Sequence, residues 1–343
     1  MKHPFLLVCG LGLVALAGCN NTGTTNSSSE GNTATETTTS GGNTTSDSSQ
    51  PTIAVIPKGT THAYWKSVEA GAVKAGKEVG AKIVFKGPVQ ESDRASQIQL
   101  VEQFVSDGTN AIVLAPLDDV ALVKPVKSAT AKKIPVVIFD SALKAKVGTD
   151  FTAFVSTDNF KGGQLAGKKM AELLKGKGKV VLLRYQQGSA STDAREAGFL
   201  DGIKGASGIT ITSQNRYSGA TAGEAKNTAL NMSDDLKAAD GIFSPNESST
   251  QGMLLALRQL GLAGKKIFVG FDTSAPLLEG LKDKQIMALI AQNPTKMGYD
   301  GVKTAYAALK GEKFEKEEDT GVAVVTNDNV NTPAIQEIVA APK

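Results

Sequence analysis

The sequence predicts an α/β protein made of two doubly wound parallel-sheet lobes. Short apolar segments rich in β-branched residues recur from Thr52 onward, and segments with helical periodicity separate them. This alternation is typical of parallel sheets covered by helices on both faces. About ten such strands are more than one ordinary sheet of roughly 5–6 strands holds. We therefore expect two sheets, each in its own lobe.

The composition limits which classes of protein this chain can be. Hydrophobic residues make up 41% of the 343 residues, enough for sizeable cores, and the net charge of +3 is too small to indicate nucleic-acid binding. The two cysteines, Cys9 and Cys19, and one of the two histidines, His3, lie in the first twenty residues. The remaining chain therefore predicts no disulfide and no cysteine or histidine metal site, and no cofactor is implied.

Residues 1–18 predict a lipoprotein signal peptide. Lys2 and His3 precede an apolar run over residues 5–17, which is short for a membrane span. The run leads into Leu-Ala-Gly-Cys, ending at Cys19, which resembles the lipobox of bacterial lipoproteins. Cleavage before the cysteine and lipidation of its thiol would anchor the protein to a bacterial membrane, on the periplasmic or extracytoplasmic side. The alternative is an ordinary secretory signal that happens to contain a cysteine.

Residues 19–50 predict a disordered tether. They are almost wholly Asn, Thr, Ser and Gly, a composition that buries too little apolar surface to offset the entropy of ordering a chain. A flexible coil of this length reaches roughly 30 Å on average. The folded part is expected to start at residue 51.

The first strand–loop–helix unit carries an unusually polar loop. The strand covers residues 53–56, and the helix that follows has Tyr64 and Trp65 at helical spacing. Lys58 and His62 lie between them. In an open parallel sheet such loops lie at the carboxyl ends of the strands, where ligands bind. The alternatives are a solvated loop lysine, a histidine that serves a turn, and a tryptophan that only fills the core.

The same unit recurs along the chain. Further predicted strands are 81–85, 111–114, 136–139, 151–156, 180–184, 209–213, 241–244, 267–270 and 287–291, with helical segments at 95–106, 162–174, 195–204 and 250–260. Polar residues follow many of these strands; they include Asp140, Asp158, Tyr217, Asn246, Asp272 and Gln292. Each alone is consistent with a helix cap, but together they predict one cleft at the strand ends.

Eight segments, in this order, resemble a known family. They read IAVIPKGTTHAYWKSVEAGA, NAIVLAPLD, IPVVIFDS, STDNFKGGQLAG, REAGF, FSPNESSTQGMLLAL, VGFDTSAP and IAQNPTKMGYDGV. The family is that of the ribose- and galactose-type periplasmic binding proteins, the solute receptors of bacterial ABC importers, which are related to the sugar domain of lac-repressor-type regulators. The resemblance implies a type I periplasmic binding protein fold, with two lobes joined by three crossing hinge segments. It also implies a sugar bound in the interlobe cleft.

The resemblance further implies how the chain is divided. The N-terminal lobe would hold residues 51–157 and 293–320, and the C-terminal lobe residues 158–292 and 321–343. One hinge would lie at Asp158. Most members of the family act as monomers and deliver their ligand to a membrane permease, so we expect these partners and no nucleic acid.

The family pattern also implies ligand-binding residues. Tyr64 and Trp65 match the aromatic pair of the first loop, and Asp140 the acidic ligand. The later matches are Arg195, Asn246, Asp272 and Gln292, with Tyr217 as the second-lobe aromatic residue. Lys58 and His62 depart from the ribose-type pattern and resemble the rhamnose and autoinducer-2 receptors, in which a lysine after the first strand can contact the ligand. The predicted ligand is therefore a small sugar or sugar-like polyol.

Other functions are open at this point. A receptor for chemotaxis or for a sensor kinase, including one for an autoinducer-2-like ligand, would bind in the same way, and neighbouring genes would separate it from a transport receptor. A carbohydrate-active enzyme would need paired carboxylates such as Asp140 and Asp272. Residues 162–169 nearly match a phosphate-binding loop, but Lys169 stands where that motif needs Ser or Thr. We therefore expect these glycines to serve close helix packing, and we expect no enzyme.

Overall fold

The computed structural model describes residues 50–339. The predicted signal peptide, Cys19 and all but the last residue of the predicted tether lie outside the described residues. The elements in chain order are β1 (Thr52–Ile56), α1 (Ala63–Val79), β2 (Lys82–Phe85), α2 (Arg94–Ser106), β3 (Ala111–Leu114), α3 (Val123–Ala131), β4 (Val136–Phe139), β5 (Ala153–Ser156), α4 (Asn159–Leu173), β6 (Lys177–Arg184), α5 (Ala190–Ile203), β7 (Gly208–Tyr217), α6 (Ala222–Asn231), α7 (Ser233–Ala238), β8 (Gly241–Phe243), α8 (Glu247–Gln259), β9 (Ile267–Phe271), α9 (Ala275–Lys282), β10 (Ala288–Gln292), α10 (Pro294–Lys310), β11 (Glu317–Asp319), β12 (Val322–Val325) and α11 (Pro333–Val339).

Two six-stranded sheets form the two lobes, as the sequence predicts. The first lobe has the strand order β11-β5-β4-β3-β1-β2, and the second lobe has the order β12-β10-β9-β8-β6-β7. The strand pairs of the first lobe are all parallel. In the second lobe β12 runs antiparallel to β10, because the chain enters β12 directly from β11 and not through a crossover helix. The two orders match position by position, so the lobes share one topology apart from the direction of this edge strand.

Helices cover both faces of each sheet. In β1 the side chains alternate: Ile53 and Val55 belong to an apolar cluster with α1 and α10, whereas Ala54 and Ile56 belong to a cluster with α2 and α3. This period of two places every side chain of the strand in a core. The second lobe has the same two-sided arrangement, with α4 and α5 on one face and α6, α8 and α9 on the other. Strands buried on both faces read as continuous apolar runs.

The chain passes from one lobe to the other three times. The passages run from β5 to α4, from β10 to α10, and from β11 to β12. At the first passage Asp158 caps α4 by accepting a hydrogen bond from the Lys161 N–H at 2.9 Å. Its own N–H donates to Asp319 Oδ1 at 3.2 Å, which ties the first passage to the third. The carboxyl ends of both sheets face the region between the lobes.

Glycines let the helices of each pair lie in close contact. A Cβ on Gly163 of α4 would lie 2.1 Å from the carbonyl oxygen of Arg195 in α5, and a Cβ on Gly198 would lie 2.1 Å from that of Phe160. The prediction that the glycine-rich segment serves helix packing is thus confirmed. Over residues 50–339 the structure contains no helix with the length and apolar character needed to cross a membrane.

Candidate functional site

A cavity lies between the two lobes at the carboxyl ends of both sheets. Its lining residues are Lys58, His62, Tyr64, Trp65, Glu91, Asp140, Tyr185, Ser189, Ser191, Thr192, Arg195, Asn246, Glu247, Asp272 and Gln292. Nine of the ten residues predicted to bind ligand are among them. The nine come from both lobes: four lie in the β1–α1 unit, and the others lie at the ends of β4, β9 and β10, at the start of α8 and in α5. The parallel strands bring these segments together at one edge.

The first lobe contributes a buried cluster around Asp140. The Tyr64 hydroxyl donates to Asp140 Oδ1 at 2.9 Å, and Lys58 Nζ lies 2.8 Å from Asp140 Oδ2. Lys58 Nζ also donates to the hydroxyl oxygen of Ser191, in the second lobe, at 2.9 Å. Burial, and after it the charge of Asp140, raise the pKa of Tyr64 well above its usual value. The tyrosine is therefore a neutral donor, and Lys58 is part of a buried ion pair and not a solvated loop lysine.

A second cluster has Glu91 at its centre. Glu91 Oε1 accepts from the Trp65 indole N–H at 2.8 Å and lies 2.8 Å from His62 Nδ1. Glu91 Oε2 accepts from the hydroxyl of Tyr185, in the second lobe, at 2.9 Å. Trp65 also belongs to the apolar core of the first lobe, so it fills a core and lines the cavity at once.

The pKa values of this pair depart from their ordinary values. Burial opposes the charge on each partner and is the largest single effect, but the attraction and hydrogen bond between the two, together with other nearby charged and hydrogen-bonding groups, outweigh it. The pKa of His62 consequently rises to about 9, and that of Glu91 falls to about 2. At neutral pH the imidazole is therefore protonated, and its second N–H, at Nε2, is a donor.

The second lobe contributes a cluster around Asp272. The Glu247 N–H donates to Asp272 Oδ2 at 2.8 Å, and Gln292 Nε2 donates to Asp272 Oδ1 at 2.7 Å. Burial raises the pKa of Asp272 to about 6, against the attraction of Arg195 and the hydrogen bond from Gln292. Among the described residues Gln292 Oε1 is buried without a hydrogen-bond partner.

Arg195 is held in a fixed orientation by its own lobe. Its Nε donates to Asn159 Oδ1 at 2.8 Å and its Nη1 to the Pro245 carbonyl oxygen at 3.0 Å. Its guanidinium carbon lies 4.0 Å from the centre of the Phe271 ring. These contacts use two of the five N–H groups of a guanidinium. Asn246 caps α8 by accepting from the Ser249 N–H, so the alternative of a helix cap also holds for this residue.

The structure does not bring Tyr217 into the cavity. It ends β7, an edge strand of the second lobe, and its ring centre lies 4.9 Å from the guanidinium carbon of Arg184. The aromatic residue that lines the cavity from this lobe is Tyr185, directly after β6. Sequence reasoning missed it, although the rule of polar residues after strands applies to it. Glu91 gave no such signal, because several loop residues separate it from β2.

A carboxylate of the second lobe also accepts hydrogen bonds from the first lobe. Glu247, the first residue of α8 in the second lobe, accepts hydrogen bonds from the N–H groups of Ala63 at 3.2 Å and Tyr64 at 2.9 Å. These groups start α1 in the first lobe, and the free N–H groups of a helix start attract anions. Over residues 50–339 no cluster of His, Cys, Asp or Glu has the arrangement of a metal site. The polar side chains that line the cavity supply hydrogen-bond donors and acceptors.

Comparisons with known proteins agree with this geometry. The family model described as periplasmic binding protein domain matches residues 53–313. A D-ribose/D-allose-binding protein of Pseudomonas aeruginosa is 33% identical over 302 residues, which cover 85% of this chain and 90% of that protein.

Solved structures are similar along nearly their whole length. An ABC transporter solute binding protein from Agrobacterium vitis with bound D-fucose is 38% identical, with a TM-score of 0.81, and the match covers 84% of this chain and 99% of that one. A carbohydrate transporter solute binding protein from Agrobacterium radiobacter in complex with D-arabinose is 35% identical, also with a TM-score of 0.81, over 85% of this chain and 99% of that one. The chain belongs to the family of periplasmic binding protein domains.

Proposed function

We propose that this protein is the substrate-binding component of an ABC importer, which binds a small sugar or sugar-like polyol in the interlobe cleft and delivers it to a membrane permease. Members of the family are transport receptors and not enzymes. The observation that carries the proposal is the convergence of charged, amide and aromatic side chains from both lobes on one cavity. The sugars bound by its structural relatives support the same class of ligand.

The chemistry of the cavity suits a sugar. A hydroxyl group both donates and accepts, so a sugar ring needs partners of both kinds around it. Arg195 and the Nε2–H of His62 supply donors, and the unpartnered Gln292 Oε1 supplies an acceptor. Trp65 supplies an aromatic ring. We propose that these residues, together with Lys58, Tyr64, Asp140, Asn246 and Asp272, form the ligand site.

The binding mechanism we propose is closure of the cleft. The lobes would divide into residues 51–157 with 293–320 and residues 158–292 with 321–343, and would rotate about the three passages, one of them at Asp158. Periplasmic binding proteins as a class close around their ligands by hinge motion of two domains. A sugar that contacts both lobes favours the closed state because only that state offers all the contacts.

The proposal includes the N-terminal segment. Residues 1–18 would be a signal peptide, and lipid on Cys19 would anchor a monomeric receptor outside the cytoplasm through a flexible tether. Replacing Cys19 by Ala would then move the protein from the membrane fraction to the soluble fraction of the cell. Persistence in the membrane fraction would contradict the anchor.

Thermal melting against a panel of sugars tests the proposed function. The full chain is melted with pentoses, hexoses, deoxysugars, inositols and autoinducer-2. A ligand at a hundred times its dissociation constant stabilises a protein by about 2.7 kcal/mol, which gives a clear and saturable shift of Tm. Arg195→Met should abolish the shift, and Tyr217→Phe, outside the cavity, should keep it. No shift with any compound, or an equal shift in both variants, would contradict the proposed site.

A further inference from the structure

Glu91 lines the cavity, but three protein groups already occupy most of its acceptor sites. Its side chain is 7% exposed, and both carboxylate oxygens already have partners: the Trp65 N–H and the His62 ring on Oε1, and the Tyr185 hydroxyl on Oε2. A buried carboxylate is tolerated only with such partners. All three partners are aromatic rings that line the same cavity. Glu91 therefore affects the cavity mainly through the positions of these three rings.

Each ring is fixed further by its surroundings. The Trp65 ring makes edge contacts with Tyr64 and Phe139, at centroid distances of 4.9 and 6.1 Å. Tyr185 is 1% exposed and comes from the opposite lobe. Its hydroxyl bond to Glu91 is thus a contact between the lobes as well as an orientation for its ring.

We propose that Glu91 is a positioning residue for ligand binding and that Tyr185 is the aromatic contact of the second lobe. This proposal rests on the proposed function. It gives the sugar two aromatic contact surfaces, Trp65 from the first lobe and Tyr185 from the second. Glu91 holds both rings, and it directs the free N–H of His62 toward the ligand. Sugars present apolar C–H faces as well as hydroxyls, and aromatic rings bury such faces.

Glu91 also sets the charge of the donor. The charged groups around His62 are Glu91 itself, Glu247 at the start of α8 and Asp272 after β9, and Lys58 after β1 faces Glu91. Glu91 is the nearest of them to the imidazole. Without its charge, burial would favour a neutral ring. A neutral His62 that keeps its proton on Nδ1 has no donor at Nε2.

The first test follows His62 by NMR in the full chain. The chain has only two histidines, and the variant His62→Gln identifies the signal. In the wild type the imidazole should titrate near pH 9, and in Glu91→Gln its midpoint should fall by about two pH units or more. Glu69→Gln, on the exposed side of α1, is the matched control and should leave the midpoint unchanged. An unchanged midpoint in Glu91→Gln would overturn the role of Glu91.

The second test measures binding of D-fucose, D-arabinose and D-ribose through the fluorescence of Trp65, the only tryptophan. Tyr185→Phe keeps the ring and should weaken binding less than about fivefold, whereas Tyr185→Leu should weaken it more than about tenfold. As the pH rises from about 6 to about 8, Asp272 loses its proton in both proteins, but Glu91→Gln should lose more affinity than the wild type because its His62 also becomes neutral. A purely structural role for Glu91 would lower Tm without this pH dependence.

The outcomes separate the two proposals. Equal affinities of Tyr185→Phe and Tyr185→Leu would overturn the aromatic contact while leaving the receptor function intact. If the wild type binds none of the sugars of the wider panel, the proposed function fails, and the ligand contact of Tyr185 fails with it. The NMR titration needs no sugar and decides the Glu91–His62 contact in every case.

Discussion

Two aspartates of the cavity share an unusual backbone conformation. Asp140 has a φ of 62° and Asp272 a φ of 71°, in the left-handed region that residues other than Gly seldom adopt, although Asp and Asn do so more often. They follow β4 and β9, which occupy the same position in the two sheets. Such conformations cost about 1–3 kcal/mol and are concentrated at functional sites. The sharp turn at each strand end directs a carboxylate into the cleft.

At the residue scale, the raised pKa of Asp272 predicts a pH dependence of stability. Its pKa is about 6 in the folded protein against an ordinary value of 3.8, so its stabilising contribution is complete below pH 3.8 and is lost as the pH rises through 6. The shift corresponds to about 3 kcal/mol. Urea unfolding of Asp272→Asn should show a free energy of unfolding that rises, relative to the wild type, between about pH 4 and 7.

The substitution also removes one hydrogen-bond acceptor from Gln292 or Glu247. That loss is the same at every pH, so it offsets the two curves without changing their relative slope. Parallel curves over this pH range would show that Asp272 does not take up a proton there. Asp234→Asn, with an almost fully exposed carboxylate, is the matched control.

At the scale of elements, the contact between α4 and α5 positions Arg195. Gly163, one turn into α4, approaches the backbone of α5 at Arg195 itself, where a Cβ would lie 2.1 Å from the carbonyl oxygen. That distance allows no side chain, because the neighbouring atom belongs to the backbone. The glycine therefore determines where the guanidinium lies relative to Asn159 and the cavity.

Gly163→Ala should consequently affect both stability and binding. Separating two packed helices costs about 1–3 kcal/mol, measured as the free energy of unfolding, and the displacement of Arg195 should weaken sugar binding. Gly205→Ala is the matched control, since no atom lies within 4 Å of its Cβ position, and it should change neither quantity appreciably. If the two variants behave alike, the helix contact does not position the arginine.

The strands also show which elements the sequence can predict. Its residues predict the ten apolar strands because a buried parallel strand is recognised by its own composition. β11, Glu317–Asp319, is made of acidic residues and is a strand only because it pairs with β5. β12, Val322–Val325, is not among the predicted strands, although its residues are apolar. Pairing at the edge of a sheet is a tertiary effect that local sequence does not carry.

The residues of the site also divide into those whose position local sequence predicts and those whose position depends on tertiary structure. Eight of the nine predicted residues that line the cavity lie at or just after a strand end or at a helix start, where topology fixes their position. Arg195 is the exception, because it lies in the second turn of α5. Glu91 lies farther into its loop, so its place depends on the loop conformation. Tyr217 is the last residue of β7, but that strand is at the edge of the sheet, away from the cleft. Tyr185, by contrast, follows the inner strand β6.

At the scale of the whole molecule, contacts between the lobes bear on the closing equilibrium. Glu247 binds the first two N–H groups of α1, Lys58 binds Ser191, and the Asp119 N–H donates to the Gly188 carbonyl oxygen at 3.1 Å. These bonds exist only when the lobes lie together. They favour the closed state whichever sugar is bound, and a less populated closed state lowers apparent affinity in proportion.

Glu247→Gln should shift this equilibrium toward the open state. Hydrogen bonds to a charged group contribute about 1.5–3 kcal/mol, so the affinity should fall by about one to two orders of magnitude, by the same factor for every sugar that binds. Small-angle X-ray scattering should find a larger radius of gyration for the unliganded variant, and Glu69→Gln serves as the control. A loss confined to one sugar, with unchanged scattering, would make Glu247 a direct ligand contact instead.

The passage of the chain between lobes has a consequence for biosynthesis. α10 covers one face of the first sheet with α1, yet it is made only after the entire stretch from α4 to β10. At about 5–20 residues per second, that stretch takes roughly seven to twenty-seven seconds. During this interval the five strands β1 to β5 have been made, but α10 has not. The part of the sheet face that α10 later covers is therefore exposed. The order of synthesis, and not the stability of the finished protein, sets how long that face is open to a chaperone.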